Sequence, residues 1–514
     1  MRKRIALPSS ILLTALSYPL ALYTPNLAPA WVSSVVVWFA LVPLLLSLHR
    51  ATPGESFRWG YIYGLFANGA ALFWIIIAMR KYGNLSWLLS GSILFSLIAE
   101  LAFYPAVTFW TMARLRNFAP AWLVGALSFT LLEWTRVYMP LEGYPWITPA
   151  YGLYGDSCLI QIVEWTGVAG LNLLIFTFSF SLADSLTRKE ERRLSAIPAL
   201  VAVGAMIAAG HLYGFIRLRT FDSVSTVDSS VRVSLIQANI PQDSKWQSAS
   251  RSQIFEKYGR LTAAAVARDS DLIVWPEAAF PLTVASSTSA FPILRETLGE
   301  ADLVLGAATW ERAGDRELYR NSAFIVGPDA RVKLRYDKRH LVPFGEYVPF
   351  SDILPTQKFV PAVAGNFVKG GVPILATVPR RPDARYGILI CYEVLFPDLA
   401  VDLVRGGANF LVNITNDAWF DETSGPYQHV EFGRFRAIET RRPIVRAANT
   451  GVTAWFDARG NIHDTTSLFT EGLVTTDIHP RREMTFYVRH PQFIPHVAAM
   501  ILLIAGLGFF RRRS

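Results

Sequence analysis

The sequence predicts a multi-span α-helical membrane bundle of about eight transmembrane helices, carrying one α/β domain. Three observations predict it. Of 514 residues, 52% are apolar and only 17% charged, which is too greasy for two ordinary soluble domains. The apolar residues gather into eight long blocks. Between the seventh and eighth lies a stretch, Val231 to Asp477, that reads instead as short buried strands ended by polar residues.

The blocks run near Ile5–Leu22, Trp31–Leu48, Trp59–Met79, Trp87–Met112, Trp122–Tyr138, Leu159–Leu182, Ser195–Ile216 and Ile494–Phe510. Most approach the roughly 20 residues that cross hydrocarbon, and eight such helices cannot all hide in a soluble core. With the N-terminus inside, the inner segments carry fourteen Lys and Arg, while the short outer loops and span ends carry Arg80, Lys81 and Arg136. Arg217 and Arg219 are a mild exception, yet the balance obeys the positive-inside rule. The formal net charge of +9 is therefore topology, and it points to no nucleic-acid partner. An odd number of spans places the Val231–Asp477 domain outside, and the last span returns Arg511–Arg513 inside. The expected division is 1–218 for membrane helices one to seven, 231–477 for the α/β domain and 490–514 for the last helix with its basic tail. Met1-Arg-Lys-Arg4 before an apolar run also fits a signal peptide cut near Ala28–Ala30, although later spans already supply anchorage.

Three strand ends carry the chemistry. Arg385-Tyr-Gly-Ile-Leu-Ile-Cys391-Tyr-Glu393 reads as a buried strand whose thiol falls where a short helix begins near Glu393. A helix N-terminus there would lower the thiol's pKa. Asp271-Leu-Ile-Val-Trp-Pro-Glu277 is a second buried strand. Pro276 stops pairing, so Glu277 projects at the carboxyl end, where open α/β sheets place their chemistry. Tyr336-Asp-Lys338 follows a hairpin, Asn321–Arg335, with Gly327-Pro328-Asp329 at its turn, and leads into Leu341-Val-Pro-Phe-Gly-Glu346.

In this order, Glu277, Lys338 and Cys391 resemble the trio of the nitrilase superfamily. The shared motifs are strand-Pro-Glu, Lys-x-x-Leu-x-Pro-x-x-Glu and Gly-x-x-Ile-Cys-Tyr-Glu. An extracytoplasmic domain of this kind between spans seven and eight is similar to the apolipoprotein N-acyltransferase family. Local matches include Gln237-Ala-Asn-Ile-Pro-Gln242 with Lys245-Trp246, Asn413-Ile-Thr-Asn-Asp-Ala-Trp-Phe420, and Glu133-Trp-Thr-Arg136 with Gly143-Tyr-Pro-Trp146. Tyr144 stands where that pattern expects Phe.

The resemblance implies a nitrilase-like αββα sandwich in the inner (cytoplasmic) membrane of a bacterium, on its periplasmic side, with both termini cytoplasmic. It implies Cys391 as nucleophile, Glu277 as general base and Lys338 as oxyanion cation. The implied donor is a phospholipid, chiefly phosphatidylethanolamine, and the acceptor is the α-amine of an S-diacylglyceryl cysteine on an apolipoprotein. Around the trio, Glu346 is expected to orient Lys338, and Tyr392 and Glu393 flank the nucleophile, Glu393 also suiting a helix cap. Trp246 reads as part of an arm gating lipid access or as an ordinary loop aromatic. Asn416, Asp417 and Trp419 end a strand and could line the site. The apolar, Pro-broken stretch 348–367 would dip into the leaflet or pack over the sandwich. Cys158 reads as a free buried thiol. No zinc pattern, P-loop or dinucleotide fingerprint is present, His340 and His429 lack ligand spacing, and no cofactor or metal is implied. Two other functions compete. A membrane-tethered amidase hydrolysing a small C–N bond would leave eight spans unexplained. A transporter or inactive scaffold would show a damaged trio.

Overall fold

The computed structural model describes residues 3–18, 29–187, 190–221, 230–349 and 367–511. The chain divides into two compact units: Met1–Ile77, Ser86–Phe221 and Arg489–Ser514 form one, and Ala78–Leu85 with Asp222–Val488 forms the other.

Among the described residues, the apolar blocks are helical, though often broken. The first is α1 (Lys3–Leu16), and the second, expected as one span, is two short helices, α2 (Ala30–Val36) and α3 (Val42–Leu48). Pro43 sits in the first turn of α3, where its missing N–H costs nothing but where a helix arriving from behind could not continue. Next come α4 (Pro53–Leu72) and α5 (Trp74–Lys81), bent by 53°. A Thr52–Glu55 capping box starts α4. Then follow α6 (Trp87–Leu101), α7 (Phe103–Leu115), α8 (Ala121–Thr135), α9 (Val163–Ser185) and α10 (Glu190–Thr220). Three described helical stretches, Trp87–Leu115, Leu159–Ser185 and Glu190–Thr220, are long and apolar enough to cross a membrane, and a fourth if the bent pair is one span. Cys158 is free but half-buried, not buried as expected, because it lies in the turn before Leu159.

The second unit is a two-sheet α/β sandwich. One sheet holds β1 (Val231–Gln237), β2 (Leu272–Val274), β3 (Val284–Ala285), β4 (Asp302–Ala313), β5 (Arg316–Val326), β6 (Val332–Asp337) and β13 (Gly472–Ile478), ordered β13-β1-β2-β4-β5-β6 with β3 beside β4. The other holds β7 (Leu375–Val378), β8 (Arg381–Ile390), β9 (Phe410–Thr415), β10 (Ile444–Ala448), β11 (Ala454–Phe456) and β12 (Ile462–His463), in the order β12-β11-β10-β9-β8-β7. Strands β1, β2 and β4 are parallel, as are β8, β9 and β10. Helix α11 (Arg251–Val266) covers the first sheet, laying Ile254, Tyr258 and Leu261 against Ile236, Trp275 and Leu303. The alternate residues Leu235, Val274 and Val304 are buried as well, so the sheet is covered on both faces and its strands read as unbroken apolar runs. Helices α12 (Pro397–Arg405) and α13 (Gly425–Thr440) pack on the second sheet, and β1 lies against β10. Of the stretch 348–367, expected to dip into the leaflet or to pack over the sandwich, residues 350–366 lie outside the described residues.

Candidate active site

Glu277 and Cys391 leave the ends of buried strands, and Lys338 leaves the end of the partly exposed β6. The β5–β6 hairpin turns at Gly327–Arg331 and delivers Lys338 one residue past β6, its N–H bonded to the Asn321 carbonyl at 2.8 Å. Glu277 follows β2 by three residues. Gly306 on β4 permits this, since a Cβ there would stand 2.3 Å from the Pro276 carbonyl and 2.8 Å from Glu277 Cα. Cys391 follows β8 directly with φ +52°, a left-handed conformation that an L side chain adopts only under constraint.

Lys338 is 1% exposed, and its Nζ lies 2.9 Å from Glu346 Oε1 and 3.4 Å from Glu277 Oε1. Asn321 donates both Nδ2 hydrogens, to Glu277 Oε1 and to Glu346 Oε1, each at 2.7 Å. That fixes which way the amide points. Glu277 Oε2 accepts from the Asn416 N–H at 2.9 Å, and Glu346 Oε2 from the Val342 N–H at 2.8 Å. Burial opposes the charge on Lys338, but Glu346 and Glu277 outweigh it and hold the ammonium far above its ordinary value. It stays charged at any working pH.

The thiol differs from its sequence expectation. Burial pushes Cys391 well above its ordinary value, Glu277 raises it further, and Lys338 and a Thr415 hydrogen bond oppose only in part. Residues Cys391–Leu395 form a single 3-10 turn, and the true helix starts only at Pro397, so no strong dipole reaches the sulfur. The resting group is a neutral thiol that needs a base.

Glu393 caps the short turn it lies in, where its carboxylate accepts from the Ile390 N–H at 2.7 Å, and not the longer helix after it; it also accepts from the Arg339 N–H at 2.6 Å, the His340 N–H at 3.2 Å and the Tyr336 hydroxyl at 2.8 Å. One buried carboxylate thereby ties the Cys391 turn to the loop bearing Lys338. Tyr392 packs beside His340 and Phe396, which stack on each other. Asn416 joins the site by its main chain, while its side chain bonds Gln242 at 2.9 Å. Trp419 is half-buried beside the Tyr82 ring, Lys81 pairs with Asp421 at 2.8 Å, and Trp246 is 44% exposed.

Sequence reasoning missed several groups. Asn321 entered only as the first residue of a hairpin; an amide just before the apolar run Ala323 to Val326 was the available signal. Behind Cys391, His429 Nε2 lies 3.3 Å from the Cys391 carbonyl, and Nδ1 lies 2.8 Å from Asp417. Asp417 also accepts from Arg446 at 2.7 Å, and Arg446 Nη1 reaches Asn413 at 2.5 Å. Burial opposes the charge of Asp417, yet Arg446 and His429 outweigh it and hold the carboxyl far below the usual range. This network braces the strained Cys391 backbone; Asn413 on β9 and Asp417 in the turn after it share one motif, but His429 on α13 and Arg446 on β10 lie too far along the chain to be read with them.

A two-sheet sandwich that gathers a cysteine, a glutamate and a lysine at its strand ends, with a second glutamate from a loop, is a catalytic domain of nitrilase type. Residues 232–484 match the family model for carbon-nitrogen hydrolases, and residues 13–181 match that of the apolipoprotein N-acyltransferase N-terminal domain. The apolipoprotein N-acyltransferase of Geobacter metallireducens is 37% identical over 99% of this chain and 95% of its own length. That of Rhodopseudomonas palustris is 34% identical over 90% and 87%. This chain belongs to the apolipoprotein N-acyltransferase family. Among solved structures, an amidase from Nesterenkonia sp. is 19% identical, covering 51% of this chain and 95% of its own, with a TM-score of 0.36. That likeness is too distant to carry an argument.

Proposed function

We propose that this protein moves an acyl chain from a phospholipid, chiefly phosphatidylethanolamine, through a thioester on Cys391 to the N-terminal α-amine of an S-diacylglyceryl-cysteine apolipoprotein. Membership of the family supports the reaction class. The single observation behind the residue roles is the Glu277–Asn321–Glu346–Lys338 cluster, a carboxylate base and a permanent cation held rigidly beside a neutral buried thiol.

The chemistry runs in two halves. Glu277 takes the thiol proton as sulfur attacks the ester carbonyl; the C–S bond forms and the carbonyl π pair moves to oxygen. Lys338 faces that oxyanion with a charge that needs no reorganisation. Collapse expels the lysophospholipid oxygen, which recovers the proton from Glu277. In the second half the lipopeptide amine attacks the thioester, Glu277 accepts a proton from nitrogen, and Cys391 leaves and is reprotonated. A resting thiol favours this sequence, because nothing is spent keeping a buried thiolate.

The same reading includes eight membrane spans, an extracytoplasmic catalytic domain between spans seven and eight, and both termini on the cytoplasmic side of a bacterial inner membrane. The spacing of apolar blocks and the concentration of Lys and Arg on one side support it. Incubation with phosphatidylethanolamine alone should add one acyl mass to Cys391, removable by hydroxylamine. A diacylated lipopeptide should then discharge it with formation of an N-acyl amide. Full-rate lipopeptide acylation by a protein that never acquires the adduct would replace the two-step scheme by direct transfer.

A further inference from the structure

Lys245 is a buried lysine that this mechanism does not use. It sits in the turn after Pro241, next to the exposed Trp246, and is 2% exposed. Its Nζ makes a 3.3 Å hydrogen bond to the main-chain carbonyl of Glu277, and no carboxylate oxygen among the described residues lies within ion-pair distance of it. A lysine buried without a carboxylate partner is costly, so it calls for a reason.

The charges around it supply one. Glu277 and Glu346 are two carboxylates sharing one ammonium, Lys338, and one amide, Asn321. Asp417 is balanced by Arg446 on β10, and Glu393 is held by Tyr336 and three N–H groups. Cys391 is neutral. With Lys338 alone the Glu277–Glu346 cluster carries an excess negative charge, which opposes an oncoming oxyanion.

We propose that Lys245 is a positioning residue of this centre, the second cation that balances Glu277 and Glu346 and keeps the cluster from repelling the negative charge that builds on the substrate oxygen. During attack the thiol proton passes to Glu277 and the negative charge appears on the substrate oxygen, so the balance is kept throughout. Glu277 is faced by Lys245 from the 242–246 turn, Lys338 from the end of β6, Asn321 from β5, Asn416 from the end of β9 and Cys391 from the end of β8. Of these, Lys245 alone is poised to lose its charge near neutrality. Burial lowers its amine to about 8, Glu277 opposing only in part.

The inference rests on the reading of Glu277 and Cys391 given above, and the test separates the two. The full-length enzyme is incubated with phosphatidylethanolamine across pH 6 to 10, and acylation of Cys391 is followed by intact mass. In the wild-type protein the rate should fall as pH rises through about 8. Lys245→Arg should keep the neutral-pH rate within about fivefold and lose that fall, because guanidinium stays charged. Lys245→Met should lower the neutral-pH rate by at least about tenfold and show no fall near pH 8. A Met variant with wild-type rate, or one uniformly slower with the fall retained, overturns the inference. Should that variant not fold, persistence of the fall in Lys245→Arg overturns it equally. A wild-type enzyme never acylated on Cys391 would sink the underlying reading instead.

Discussion

The two units of the molecule treat the same residue types in opposite ways. In the membrane unit, large apolar side chains face outward: Leu88 is 82% exposed, Val201 67%, and Leu194, Leu212 and Leu503 are comparable. In the catalytic unit the apolar strand residues Leu235, Val274, Leu389 and Val412 are fully buried. Charge is inverted too. The membrane unit buries few ionic groups, such as Glu133 with Arg136 at 3.0 Å, one helical turn apart. The catalytic unit buries Lys245, Glu277, Lys338, Glu393, Asp417 and Arg446, nearly all cross-braced. The contrast teaches that hydrophobicity is placed by the surrounding solvent, while buried charge is placed by chemistry. A lipid-facing surface gains from exposed leucine, and a water-facing domain accepts buried ions only where a network satisfies them.

Breaking the catalytic network should have the largest effect. Cys391→Ser should abolish turnover, and Glu277→Gln and Lys338→Ala should each cost on the order of 10²–10⁴ in acylation rate with the fold retained. Any of the three keeping a near-wild-type rate would remove its assigned role. Arg446→Met leaves Asp417 uncompensated beside His429 and should destabilise the catalytic unit by about 3–5 kcal/mol, read as a lower melting temperature of the purified protein. Asn321→Ala frees Glu277 and Glu346 to shift apart and should slow acylation by about tenfold to a hundredfold, with a smaller loss of stability than Arg446→Met.

The membrane side sharpens the comparison. Val201→Asp on the outward face of α10 should cost roughly 2.5–3.5 kcal/mol of insertion, whereas Val201→Leu should change nothing measurable; equal tolerance of both would mean that this face does not meet lipid. A cysteine at Ser230 should be labelled by an impermeant reagent outside intact spheroplasts, and one among Arg192–Arg193 should not. The reverse pattern would place the catalytic unit in the cytoplasm. The smallest effect belongs to the surface pair Arg260–Glu471, 2.6 Å apart and open to water, whose removal should leave activity unchanged.

Strand-end positions were the most legible part of the site. Trp275-Pro-Glu277 and Ile390-Cys391 stand out because a strand that serves packing alone seldom stops its apolar run at a single reactive residue. Helix breaks were less legible. Only Pro43 marks the interruption between α2 and α3, and the bend after Leu72 has no proline at all.

Sequence by itself determined which stretches are apolar enough for lipid, which residues could serve as nucleophile, base and cation, and the family they resemble. All of these depend on residue type, local order and short spacing. The tertiary structure alone decided that the thiol rests protonated and that one amide, Asn321, clasps both glutamates. It also decided that Lys245 lies under the base and that His429, Asp417 and Arg446 brace the nucleophile. The reason is physical: these features depend on burial and on contacts between residues mostly dozens of positions apart, which the strand order within each sheet brings together.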